Sequence, residues 1–158
     1  MMALERTCAT AAHWTDEQYQ QMFQSGSGTP QRLVFVADGS SVALSRARED
    51  MHSTAGAGLL GFLVARHLAP EWELENIVVA PTVRRTGLGK RLLDALLTQA
   101  RETNSDAVFL EVRESNIAAR SLYEKIGFQL TGRRKSYYTN PQEDAVLYRL
   151  SLGVKSFS

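Results

Sequence analysis

The chain has a single cysteine, Cys8, in 158 residues. That excludes an internal disulfide and any cysteine-rich metal site. Histidine is scarce as well: His13, His52 and His67 show no zinc-ligand spacing, so no metal is expected. Neither sign of charge prevails. Eighteen Lys and Arg against 17 Asp and Glu leave a formal net charge of +1, which gives no bulk attraction to nucleic acid or to a membrane surface. No apolar run approaches the ~20 residues of a membrane span. No basic segment followed by an apolar run marks a signal peptide. These absences point to a cytoplasmic protein with no membrane or direct nucleic-acid partner, a monomer or weak dimer. No repeat, low-complexity tract or linker divides the chain, so one domain over 1–158 is expected. Its length and 44% hydrophobic content suffice for a sizeable core.

What is present is concentrated between Ile77 and Arg101. Ile77-Val78-Val79-Ala80-Pro81 reads as a buried strand, entered from about Glu73. Arg84-Arg85-Thr86-Gly87-Leu88-Gly89-Lys90-Arg91 reads as a basic, glycine-punctuated turn opening a helix. That helix places Leu88, Leu92, Leu93, Leu96, Leu97 and Ala100 on one face. A helix start offers unpaired N–H groups and the positive end of the macrodipole, so it binds anions, phosphates above all. Two well-known phosphate loops fail on spacing. A P-loop needs Gly at position 84 and Ser or Thr at 91, and both are arginine. The dinucleotide fingerprint needs a third Gly at 92, which is leucine.

Other elements follow from pattern. Thr15 with Gln18 is a capping box for a helix over 16–24. Strands are expected at Leu33–Ala37, Leu59–His67, Val108–Arg113, Phe128–Leu130 and Ala145–Leu150, the last two separated by a turn at Asn140-Pro141. Ser115 or Asn116 caps a helix that ends at Gly127, with Ala119, Leu122, Tyr123 and Ile126 as its inner stripe. The segment 38–58 is read as a long flexible insertion with strand character at Val42–Leu44.

Arg-x-x-Gly-x-Gly at 84–89 after a hydrophobic strand resembles the pyrophosphate loop of the GNAT superfamily of N-acetyltransferases. A second block, Asn116-x-x-Ala119-x-x-Leu122-Tyr123 followed by Gly127-Phe128, resembles the other signature of that superfamily. Leu110-Glu111-Val112-Arg113, Arg133-Arg134-Lys135-Ser136-Tyr137-Tyr138 and Glu143-Asp144-Ala145 are similar to the RimI-type ribosomal-protein alanine N-acetyltransferases. His13-Trp14-Thr15 resembles their Pro-Trp-Ser. Two features depart from that pattern: the long 38–58 insertion, and Glu75 where an apolar or aromatic residue is usual.

The resemblance implies an α/β fold with a mixed, mostly antiparallel sheet splayed at its centre, and acetyl-coenzyme A as co-substrate. It implies that Ile77, Val78 and Val79 pair with the pantetheine through their backbone, that Arg84, Arg85, Thr86, Gly87, Leu88, Gly89 and Lys90 hold the phosphates, and that Asn116 and Tyr123 complete the cofactor site. The implied acceptor is the α-amino group of a protein N-terminus, a ribosomal protein with Ala or Ser first. A small amine, a lysine side chain, or a non-catalytic acyl-coenzyme A sensor are the alternatives.

The chemistry asks for a modest base. Neutralising a peptide α-amine near pH ~7.5 costs about 0.7 kcal/mol, against about 4 kcal/mol for lysine. Strand alternation sets Phe109, Glu111 and Arg113 on one face. Glu111 is the first candidate base, expected among Val, Phe and Leu with a carboxyl raised by desolvation. Glu75 is the rival, acting through water or holding substrate. Tyr123 is the candidate acid for the departing thiolate. Tyr137 and Tyr138 are expected to line the peptide entrance.

Overall fold

The computed structural model describes residues 1–6, 15, 17–18, 20, 31–38, 45–47 and 58–153. In chain order these form helix α1 (Met2–Arg6), strands β1 (Arg32–Asp38), β2 (Ser45–Ala47), β3 (Leu59–Leu68) and β4 (Glu71–Val79), and a 3-10 turn (Pro81–Val83). Helix α2 (Leu88–Glu102), β5 (Ala107–Arg113), helix α3 (Ile117–Ile126), β6 (Gln129–Thr139) and β7 (Gln142–Ser151) follow. Seven strands make one sheet in the order β2-β1-β3-β4-β5-β7-β6. Every neighbouring pair is antiparallel except β4 with β5.

That parallel pair decides where a ligand fits. β4 and β5 are in register from Glu71↔Ala107 to Leu74↔Leu110 and no further. Beyond those residues β4 runs on to Val79 and β5 to Arg113 without pairing, so the sheet opens. A bulge helps to turn β4 away. Val64 pairs with Asn76 and Ala65 with Leu74, leaving Glu75 as the extra residue.

The expected leucine face of α2 is buried as drawn. Leu92, Leu93, Leu96 and Ala100 are wholly enclosed and Leu88 and Leu97 nearly so, against Trp72, Leu74, Val108 and Leu110 of the sheet. Each fully buried leucine contributes roughly 1.5–3 kcal/mol of transfer free energy. Close approach of this helix and β4 depends on Gly61 in β3. A Cβ there would stand 2.9 Å from the Val78 carbonyl oxygen and 3.3 Å from Leu88. Gly61→Ala is therefore expected to destabilise by about 1–3 kcal/mol, a fall in Tm of roughly 2–4 °C per kcal/mol for a chain of this size, read by thermal melting.

The capping box at Thr15 is formed: Thr15 N–H donates to Gln18 Oε1 at 2.7 Å and Gln18 N–H to Thr15 Oγ1 at 3.2 Å. Tyr19, Met22 and Phe23 lie outside the described residues, as do Val42–Leu44 and most of 38–58. The strand described within that insertion is β2, paired with β1 through Phe35↔Arg46.

One expected strand is much longer than its sequence suggests. β6 does not stop at Leu130 but continues through the basic block to Thr139. Its residues are almost all exposed, because it is the outer strand of the sheet, so no apolar alternation marks it. Between Arg134↔Ala145 and Tyr138↔Glu143 it carries three residues against one on β7. Ser136 takes the left-handed conformation there (φ 52°), and its N–H donates to Asp144 Oδ1 at 2.8 Å.

Candidate active site

The opening between β4 and β5 is a cleft of about 910 Å³. One wall is β4 from Leu74 to Val79, the other β5 from Leu110 to Arg113 with α3, and the far end is the turn into α2.

The α2 end is built from backbone. Gly87 caps the helix in the left-handed conformation (φ 88°), which favours glycine. The first bond onto the cap is Arg91 N–H to Gly87 O, 3.0 Å. Leu88, Gly89 and Lys90 thus supply N–H groups without intrahelical partners. Arg84, Arg85, Gly87, Leu88, Gly89 and Lys90 all line the cleft. Thr86 does not; its hydroxyl turns back to donate to Val83 O at 2.7 Å and closes the turn.

Along β4, Ala80 N–H donates to Leu60 O at 2.7 Å. Alternation along an antiparallel ladder then aims the Ile77 and Val79 main-chain groups the other way, into the cleft. On the opposite wall, Asn116 caps α3, its side chain accepting from Ala119 N–H at 3.2 Å. Gly127 ends the helix at φ 113°. Tyr123, 4% exposed, lines the cleft and packs on Phe128 and Tyr148 at ring distances of 5.8 and 6.2 Å. Burial, with a smaller contribution from Tyr138, pushes its phenol well above the ordinary range.

Glu111 lines the cleft from β5, on the face that alternation assigned. Its surroundings differ from the expected apolar ones. The Arg134 guanidinium Nε stands 3.1 Å from its carboxylate, and Tyr137 is near enough for Glu111 to raise its phenol. The neighbouring Arg113 is not its partner: it pairs with Glu143 at 3.3 Å, reaches the Asn140 and Pro141 carbonyl oxygens, and lies over the Tyr138 ring at 4.1 Å.

Glu75 also lines the cleft, but Arg32 holds it through two hydrogen bonds of 2.8 and 3.0 Å, with Arg66 at 3.5 Å. Tyr138 lines the cleft, and its phenol is pushed up to about 12, chiefly by burial and against the opposing effect of Arg113. Tyr137 stands edge-on to it at 5.1 Å, about half exposed, and is not part of the cleft wall. Burial and Glu111 raise its phenol too.

Sequence reasoning missed several contributors. Ala118, Ser121 and Lys125 join Leu122 along the cleft face of α3; their i, i+3, i+4, i+7 spacing from Ala118 was the available signal. Asn76 is buried in the β4 wall and donates to Glu5 of α1 at 2.6 Å. Arg134 was marked only as part of the basic 133–135 run, with nothing local to pair it with Glu111.

No helix among the described residues is long and apolar enough to cross a membrane. A ribosomal protein bS18-alanine N-acetyltransferase of Haemophilus influenzae is 44% identical over 92 residues, covering 56% of this chain and 62% of its own length. The Escherichia coli protein of the same description is 35% identical over 103 residues, covering 64% of this chain and 70% of its own. The chain thus spans less than two thirds of the first relative's length and slightly more of the second's. The crystal structure of the ribosomal-protein-S18-alanine N-acetyltransferase from E. coli superposes with a TM-score of 0.71 at 24% identity, over 99% of this chain and 88% of that one, a likeness of fold. The model of the acetyltransferase (GNAT) family matches residues 1–128. With the splayed sheet and the Arg-x-x-Gly-x-Gly helix start in place, this chain belongs to the GNAT family of acetyltransferases, which use acetyl-coenzyme A.

Proposed function

We propose that this single domain transfers the acetyl group of acetyl-coenzyme A to the α-amino group of a protein N-terminus that begins with alanine, a ribosomal protein being the favoured substrate. The observation that carries the reading is the convergence of Glu111 and Tyr123 on one cleft that also has a glycine-capped, basic helix start. The similarity to bS18-alanine N-acetyltransferases supports the choice of acceptor.

The pyrophosphate lies against the 88–90 amides with Arg84, Arg85 and Lys90 around it. The pantetheine arm extends along β4 as an added strand, pairing with the main chain of Ile77 and Val79. A main-chain N–H of that segment stabilises the carbonyl oxygen as it gains charge. Glu111 takes a proton from the α-ammonium, the neutral amine then attacks directly, and Tyr123 faces the departing sulfur. Tyr138 forms part of the peptide entrance.

The test is turnover against short peptides that differ in their first residue, each with a free or blocked α-amine and an internal lysine. Turnover confined to free Ala- or Ser-starting peptides is the expected result. Turnover with the blocked forms would move the activity to lysine. No turnover with any peptide would overturn the N-terminal reading.

A further inference from the structure

We propose that Arg134 occupies Glu111 as a resident counter-ion between turnovers and that the substrate's α-ammonium binds by displacing it. The inference deepens the reading of Glu111 as the base and rests on it.

The placement of Arg134 follows from three strands. Arg113 on β5, Ala145 on β7 and Arg134 on β6 form one cross-strand row, and Glu111 stands two residues along β5 from that row on the same face. The middle residue is alanine, wholly buried. A longer side chain there would block the path. Over alanine, Arg134 crosses β7 diagonally and reaches Glu111 at 3.1 Å. The bulge at Ser136 then turns Tyr137 back over the same pair, with the Arg134 guanidinium 5.5 Å from the Tyr137 ring centre.

The other cations facing this region have other partners. Arg113 is bound to Glu143 and Tyr138, and Arg66 and Arg32 to Glu73 and Glu75. Arg134 is 56% exposed while Glu111 is 17% exposed. An ion pair with one solvated member is weak and exchangeable. A cationic amine entering the cleft replaces one positive charge by another, so the carboxylate is never left bare, and Arg134 can settle on the Tyr137 ring face. The ammonium then gives its proton to Glu111 before attack.

The experiment measures the Kd of an Ala-starting peptide in the presence of acetyl-free coenzyme A, so that no turnover is needed. It uses the wild type, Arg134→Gln, Arg134→Lys, Glu111→Gln and the Glu111→Gln/Arg134→Gln double variant. Removing a competing cation is expected to tighten the peptide by about threefold in Arg134→Gln, with Arg134→Lys between it and the wild type and the Kd of coenzyme A itself not following. In the Glu111→Gln background the same change is expected to have no effect, because the charge that Arg134 occupies is gone. Weaker or unaltered peptide binding in Arg134→Gln would overturn the inference, and so would equal tightening in both backgrounds. The base reading fails on a separate observation, full kcat in Glu111→Gln, so the two failures are told apart.

Discussion

Glu111→Gln is expected to lower kcat by about 10²–10³-fold, the usual worth of a positioned general base, with acetyl-coenzyme A still bound. The substitution keeps the side chain's size and its place on β5, so the cleft walls stay where they are. What is lost is the oxygen that takes the proton. The loss should be moderate in scale because the acceptor is an α-amine, which needs only about 0.7 kcal/mol to become neutral near pH ~7.5. The companion variant is Glu75→Gln. Glu75 accepts both hydrogen bonds of the Arg32 fork. Its replacement leaves a half-buried guanidinium short of an acceptor and is expected to cost roughly 1–3 kcal/mol of stability. Its kcat should fall much less than that of Glu111→Gln. Steady-state turnover and thermal melting of both variants separate the roles: a kcat for Glu75→Gln as low as that expected for Glu111→Gln, with Glu111→Gln active, would transfer the base to Glu75.

The contrast between the two carboxylates shows what the sequence carried. The helix start at the far end of the cleft is built from residues contiguous in the chain, and its strand-turn-helix pattern was legible in the sequence. The same holds for the Thr15–Gln18 capping box, for Asn116 as a cap and Gly127 as a stop, and for the leucine face of α2. Alternation told which face of β5 carries Glu111. It was silent on what stands across from that face, because the answer lies two strands away in space and 23 positions away in sequence. Arg134 reaches Glu111 only when β5, β7 and β6 are in register. Glu75 is similar: the guanidinium that holds it comes from β1, at Arg32. The true length of β6 escaped for a different reason. An edge strand with solvent on both faces has no hydrophobic period, and its Arg-Arg-Lys run reads as a solvated loop.

Tyr123→Phe is expected to lower kcat by about 10²-fold, close to 2.7 kcal/mol at ~1.36 kcal/mol per decade, and to leave the fold in place. The ring is the packed part of this side chain, held against Phe128 and Tyr148, and phenylalanine keeps it. Tyr123 lines the cleft, and the hydroxyl is the part the substitution removes. Burial holds the phenol protonated far above neutral pH, which settles the form in which it acts. An alkyl thiol ionises close to the ordinary ~10 of a phenol, so it is burial, which raises the Tyr123 phenol, that makes complete transfer of its proton to a thiolate uphill. The role that fits is a hydrogen bond to sulfur that strengthens as the carbon–sulfur bond breaks and negative charge collects there, which is stabilisation gained in the transition state and not in the bound substrate. Such an interaction lowers kcat on removal and leaves the KM for acetyl-coenzyme A nearly unaltered. A variant with kcat within threefold of the wild type would mean that the sulfur leaves without help from Tyr123. A variant with a raised KM and normal kcat would mean that the hydroxyl holds the pantetheine and takes no part in the departure of the thiolate.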